Sequence, residues 1–252
     1  MSSRNDSAAG ADAPAGAPAP PAPARAAPPD PPSGAWGELG VVLALTFAAT
    51  VALARLAPRV PWLDRNLSLA IAVLFVWLPS AVVWRRGLDA ETYLPLRLQP
   101  LGRAIAWAAA AGAVVFPLFA AGFWVLHGVV LHRPFAARLP ADFAALALTH
   151  LALVALPEEF LFRGYLQRRL DDVFPRRWRV LGADVGAAVP VAAALFALVH
   201  LAADARPDRI AVFFPALVFG WLRARTGTVW APALFHGASN IVAAVLEASF
   251  YY

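Results

Sequence analysis

Long apolar stretches, separated by short polar connections, make up most of this 252-residue chain. A run of about 20 apolar residues crosses a bilayer as a helix, and seven stretches approach that length. The sixth, with 13 residues, gives the weakest signal. The pattern therefore predicts an all-α, polytopic bundle of about seven transmembrane helices, at 36–56, 67–84, 105–131, 143–162, 185–203, 210–222 and 229–250.

The first 34 residues differ in kind, because Pro and Ala dominate and no apolar stretch is present. Such a composition cannot bury a core and favours a disordered, polyproline-II-like tail. A cleavable signal peptide would carry an apolar region of roughly 7–15 residues in this window, so we expect the first span to act as an uncleaved signal anchor. The sequence predicts a tail at 1–34 and a membrane-embedded domain at 35–252.

Composition supports a membrane protein and limits its chemistry. The chain is 60% hydrophobic, whereas soluble domains are about half apolar. It contains no cysteine, which excludes disulfides, cysteine-ligated metals and cysteine nucleophiles. Its net charge of +5 is explained by the placement of arginines in the loops of a membrane protein and by their attraction to anionic headgroups. Nothing in the sequence indicates binding to nucleic acid. The Lys-free, Arg/Ala/Pro-rich composition is typical of a high-GC bacterium, so we expect the bacterial inner membrane.

The arginines are distributed unevenly between the connections. Because cytoplasmic loops carry the excess of basic residues, we expect the N-terminus to be cytoplasmic. The arginines then on the cytoplasmic side are Arg4, Arg25, Arg85, Arg86, Arg97, Arg103, Arg168, Arg169, Arg176, Arg177, Arg179, Arg223 and Arg225. Those on the other side are Arg59, Arg65, Arg133, Arg138, Arg206 and Arg209.

Three ionisable residues interrupt the fourth apolar stretch, in PEEFLFR at 157–163. Charges in hydrocarbon cost several kcal/mol and usually face the bundle interior, where they mark a functional pathway. At about 100° per residue, Glu159 and Arg163 lie about 40° apart, and Glu158 points away from both. We therefore expect Arg163 to neutralise Glu159 and leave Glu158 free. Alternatively, all three charges mark the membrane boundary, with an amphipathic surface helix following.

Two later spans carry polar residues at helical spacing. FALVH places Phe196 and His200 on one helix face, and HGASN does the same for His236 and Asn240. Small residues between the last two allow helices to approach closely. Each polar side chain would otherwise need its own buried partner, so we expect them to converge with Glu158 on one polar cavity.

The three motifs EEFLFR, FALVH and HGASN, in this order, resemble those of the CPBP family. These are the CAAX-protease and bacteriocin-processing intramembrane glutamic endopeptidases, also called Abi or Rce1-like. The resemblance covers about residues 143–248. It implies hydrolysis of a peptide bond in a membrane-associated protein or peptide, without a metal or other cofactor. The substrate stays open between a prenylated CAAX peptide, a bacteriocin leader, an anchored regulator and a C-terminal sorting signal.

Residue roles follow from the chemistry of hydrolysis and from the resemblance. Peptide hydrolysis needs an activated water, a donor to the oxyanion and a proton for the leaving amine. Glu158 is the best candidate for the general base, and His200 is placed to hold the water with it. The resemblance implies the same roles, with His236 and Asn240 forming the oxyanion hole. The residues expected to give structural support are Glu159, Arg163 and Phe196.

The same residues would also suit other chemistries. Glu158, His200 and His236 have the composition of a zinc site, but no HExxH is present and the resemblance implies a metal-independent mechanism. Ser239 lacks the GxSG setting of a serine nucleophile. A bacteriocin-immunity-like scaffold or a proton- or ion-coupled transporter would use the same buried cluster, although no internal repeat is found. Two further histidines are interpreted as core residues, His127 and His150.

Overall fold

Helices dominate the computed structural model, which describes residues 32–98 and 101–251. They are α1 (Ala35–Leu56), α2 (Pro61–Arg65), α3 (Leu67–Arg86), α4 (Ala90–Tyr93), α5 (Leu101–Trp124), α6 (Phe143–Leu148), α7 (Leu156–Glu159), α8 (Gln167–Val173), α9 (Ala188–Ala203), α10 (Phe213–Thr226) and α11 (Trp230–Tyr251). Two π-helical segments, Thr149–Ala155 and Phe160–Leu166, join α6, α7 and α8 into one continuous helix. We call this helix, Phe143–Val173, the site helix. The predicted all-α membrane bundle is confirmed.

Within the described residues, five helices are long and apolar enough to cross a membrane. They are Ala35–Arg59, Leu67–Arg86, Leu101–Val130, Phe143–Val173 and Trp230–Tyr251. The predicted fifth and sixth spans correspond to α9 and α10, which have 16 and 14 residues and are shorter than the about 20 that a perpendicular crossing needs. The chain is an integral membrane protein in which two of the seven expected spans are short helices.

A small β-hairpin precedes α9 and was not predicted. Strands Arg177–Val180 and Ala183–Gly186 pair antiparallel through a two-residue turn at Leu181 and Gly182, with φ values of 46° and 78°. Positive φ at both central positions matches the twist of a hairpin, and glycine adopts it without strain. The predicted fifth span therefore began too early, because residue 185 lies in the second strand. Most of the predicted tail, up to residue 31, lies outside the described residues.

A cluster of charges joins three helices at one end of the bundle. Glu38 near the start of α1 accepts hydrogen bonds from Tyr165 Oη at 2.7 Å and Arg169 Nε at 2.7 Å, both in the site helix. Arg86, the last residue of α3, donates to the same carboxylate at 3.0 Å. The start of α1 thus meets the ends of α3 and the site helix, as in a bundle whose helices alternate in direction. We call this the arginine-rich end.

Helix α11 packs closely against the site helix at Gly237. A Cβ added there would lie 2.4 Å from Leu151 Cδ2 and 3.2 Å from Leu151 Cα, closer than side chains normally approach. Glycine therefore allows the two helices to approach at this level. The expectation that small residues in HGASN permit close helix packing is confirmed, and this contact brings α11 against the carboxylates of the site helix.

Candidate active site

Three helices bring the charged and aromatic residues of the motifs together. Glu158 belongs to the site helix, His200 to the last turn of α9 and His236 to the second turn of α11. Glu158 Oε2 lies 3.7 Å from His236 Nε2 and 3.9 Å from His200 Nε2. Both distances exceed hydrogen-bond length, so the three side chains surround one point without bonding to one another.

Both imidazole rings are oriented through their Nδ1 atoms. His200 Nδ1 lies 2.9 Å from the carbonyl oxygen of Phe196, and His236 Nδ1 lies 2.9 Å from Glu159 Oε1. Carbonyl and carboxylate oxygens only accept, so each Nδ1 carries the hydrogen of its bond. In a neutral ring Nε2 is then an acceptor, and both Nε2 atoms face the Glu158 carboxylate. Three converging acceptors form a site for a hydrogen-bond donor or a cation.

A buried ion pair lies behind this point. Arg163 Nη1 donates to Glu159 Oε1 at 3.0 Å, and both side chains are 0% exposed. Arg163 Nη2 donates to the carbonyl oxygen of Ala216 at 3.1 Å, and its guanidinium lies 4.6 Å from the Phe196 ring centroid, a cation–π contact. The predicted Glu159–Arg163 pair is confirmed. The membrane-boundary alternative places these charges at an exposed boundary, whereas both side chains are fully buried in the bundle.

No sequence pattern indicates the contact between Glu159 and His236, which are 77 positions apart. Sequence reasoning assigned Glu159 only to Arg163, whereas the structure gives its Oε1 atom two partners. A carboxylate bonded to Nδ1 fixes the tautomer and the orientation of an imidazole, as in hydrolases with a catalytic triad. Glu159 therefore connects the buried arginine to the face of His236 that is turned away from Glu158.

A cavity of about 310 Å³ covers these side chains. The site residues that line it are Glu158, His200, His236 and Asn240. It extends along α11 as far as Glu247 and along the site helix as far as His150, which means that it leads away from the arginine-rich end. The interpretation of His150 as a core residue is wrong. His127 also lines a cavity, of about 480 Å³, and its Nδ1 lies 2.9 Å from Tyr251 Oη.

The cavity also contains the residues that metal or serine chemistry would use. Glu158, His200 and His236 are the side chains that would hold a metal in this cavity. Across the two described stretches of the chain, no three His, Cys, Asp or Glu side chains are grouped as metal ligands. The expectation of a metal-independent site stays a prediction. The Ser239 hydroxyl donates to the carbonyl oxygen of Phe235 at 2.7 Å, a local bond within its own helix.

Comparison with known families agrees with the position of the motifs. Residues 140–242 match the family model described as "Type II CAAX prenyl endopeptidase Rce1-like". Comparisons with curated proteins and with solved structures gave no match. The matched segment begins just before the site helix and ends shortly after Asn240, so it contains all three motifs. This segment is similar to the Rce1-like family of type II CAAX prenyl endopeptidases.

Proposed function

We propose that this protein is an intramembrane glutamic endopeptidase that hydrolyses a peptide bond of a membrane-associated protein or peptide. The observation that carries the proposal is the convergence of His200 Nε2 and His236 Nε2 on Glu158 Oε2, at 3.9 and 3.7 Å, inside a cavity. Three polar groups from three helices are costly in a membrane unless they act together on a ligand. The family description, that of an endopeptidase, agrees with this chemistry.

Glu158 serves as general base. A water bound between the carboxylate and His200 Nε2 donates hydrogen bonds to both, because both atoms are acceptors. As its oxygen forms a bond with the carbonyl carbon of the substrate, its proton passes to Glu158. The resulting tetrahedral intermediate collapses when Glu158 returns this proton to the amide nitrogen, the C–N bond breaks and the amine leaves.

His236 and Asn240 stabilise the oxyanion of this intermediate. Because His236 Nδ1–H is bonded to Glu159, its Nε2 donates a hydrogen bond only when the ring is an imidazolium. Asn240 supplies the second donor, and its amide lines the same cavity.

The orientation of the bundle decides which side supplies the substrate. We propose that the arginine-rich end faces the cytoplasm of a bacterial cell, with the N-terminus on the same side. The cavity leads towards the opposite end, which carries the end of α11 and fewer arginines. The enzyme then acts on substrates presented from the extracytoplasmic half of the inner membrane.

The test is a comparison of wild type with Glu158→Gln. This change keeps the size of the side chain but removes the base, so cleavage of membrane substrates is expected to fall at least about 100-fold. Terminal-peptide proteomics of cells with either form identifies the cleaved proteins, and circular dichroism of the purified variant checks the fold. Cleavage that persists in a folded Glu158→Gln protein contradicts the mechanism. Identical peptide profiles contradict the activity itself and favour a non-catalytic membrane protein.

A further inference from the structure

Glu247 is a carboxylate that the mechanism does not use, although it lines the active-site cavity. It lies in α11, seven residues after Asn240 and eleven after His236, so the three side chains share one helix face. It also lines two neighbouring cavities of about 570 and 480 Å³. Glu247 therefore lies where three cavities meet, at the exposed mouth of the site.

Two arginines near this mouth are bound to other acids. Arg209 Nε lies 2.7 Å from Asp204 Oδ2, and Arg206 lies 3.3 Å from both Asp204 and Asp208. These four side chains balance one another in charge. Glu247 forms no ion pair within residues 32–98 and 101–251, and Arg138, which lines one of the neighbouring cavities, is not paired with it. Glu247 therefore lies at the mouth of the site without an ion-pair partner among the described residues, near the end of a membrane-spanning helix.

The helix face between the oxyanion donors and Glu247 is open to an extended chain. Ala243 and Ala244 line the cavity there, and their short side chains leave room along α11. With a rise of 1.5 Å per residue, Glu247 lies about 10 Å along the helix from Asn240 and about 16 Å from His236. An extended peptide covers these distances in about three to five residues, at about 3.3 Å per residue.

We propose that Glu247 is a specificity-determining residue that binds the cationic side chain of an Arg or Lys in the substrate, three to five residues from the scissile bond. This inference rests on the proposed endopeptidase function. The inference names a substrate class, namely peptides with a basic residue close to the cleavage point. The family description does not mention this class. A carboxylate and a guanidinium form paired, directional hydrogen bonds, which a neutral side chain at the same position of the peptide does not form.

The inference is tested with a series of palmitoylated dodecapeptides in nanodiscs. In this series, each position of the peptide in turn carries Arg, Glu or Gln. Mass spectrometry measures which bonds are cleaved, and Glu158→Gln defines the background. Wild type is expected to favour Arg over Gln at three to five residues from the bond by at least about tenfold in kcat/KM, mainly through KM. Glu247→Gln is expected to lose this preference, and Glu247→Arg is expected to favour Glu. The control Asp64→Asn, an exposed acid of α2 outside these cavities, keeps the wild-type preference.

Three different results overturn the inference. Wild-type cleavage that ignores charge at these positions, with the same profile in Glu247→Gln and Glu247→Arg, removes Glu247 from substrate recognition but leaves the endopeptidase intact. Absence of any cleavage above the Glu158→Gln background overturns the proposed function, and this inference with it. A loss of kcat in Glu247→Gln without a change in peptide preference also contradicts a role in specificity.

Discussion

Replacing Glu159 by Gln keeps the shape of the side chain but removes the negative charge that faces Arg163 at 3.0 Å. At an effective dielectric constant of about 20, two unit charges at this distance attract by about 5–6 kcal/mol. Removing one partner of a buried pair leaves the other charge uncompensated and typically costs about 3–5 kcal/mol. Because both side chains are fully buried, we expect Glu159→Gln to lower the free energy of unfolding by about 3–5 kcal/mol.

The measurement is a denaturant titration in mixed micelles, followed by circular dichroism. The matched control is Glu91→Gln, which removes the acid of an exposed pair with Arg97, where the two side chains are 60% and 67% exposed. Solvent screens such a pair, so the control is expected to change stability by at most about 1 kcal/mol. Glu159→Gln and Glu91→Gln proteins of equal stability would refute the reasoning from burial.

A double-mutant cycle separates the contribution of the ion pair to stability from the contribution of side-chain packing. Glu159→Gln combined with Arg163→Leu is expected to be clearly less destabilised than the sum of the two single changes, because no buried charge is left alone. Additive effects would mean that the two residues do not interact. Exchanging the charges, with Glu159→Arg and Arg163→Glu, is expected to recover folded protein better than either single change. It is not expected to recover activity, since a cation then faces His236.

The remaining predictions concern the oxyanion hole, helix packing and metal dependence. Asn240→Ala is expected to lower kcat about 100- to 1000-fold with little change in KM, and a raised KM with unchanged kcat would instead make Asn240 a substrate-binding residue. Gly237→Ala is expected to destabilise the bundle more than Gly122→Ala, because a Cβ at Gly122 meets nothing within 4 Å, and equal thermal stabilities would contradict the close contact with Leu151. Exhaustive chelation is expected to leave turnover unchanged, whereas activity lost to a chelator and restored by zinc would indicate a metalloprotease.

Local features of the site were predictable from the sequence. The apolar stretches define helices because a bilayer demands about 20 apolar residues for each crossing. The pair of Glu159 with Arg163 follows from helical periodicity, since residues four apart share a helix face whatever surrounds the helix. Asn240 could be placed beside His236 for the same reason. These inferences need only the conformation of one segment, which its own residues determine.

Only the tertiary structure decided which helix faces pack against each other. The contact between Glu159 and His236, the place of His150 in the cavity and the position of Glu247 at its mouth depend on how α11 packs against the site helix. That packing depends on the fit of Gly237 against Leu151 and on charges such as Glu38, which bind partners more than 100 residues away. Helical periodicity places a side chain on its own helix but does not place one helix against another. The sequence therefore determined the helices and their motifs, and packing determined the site that they share.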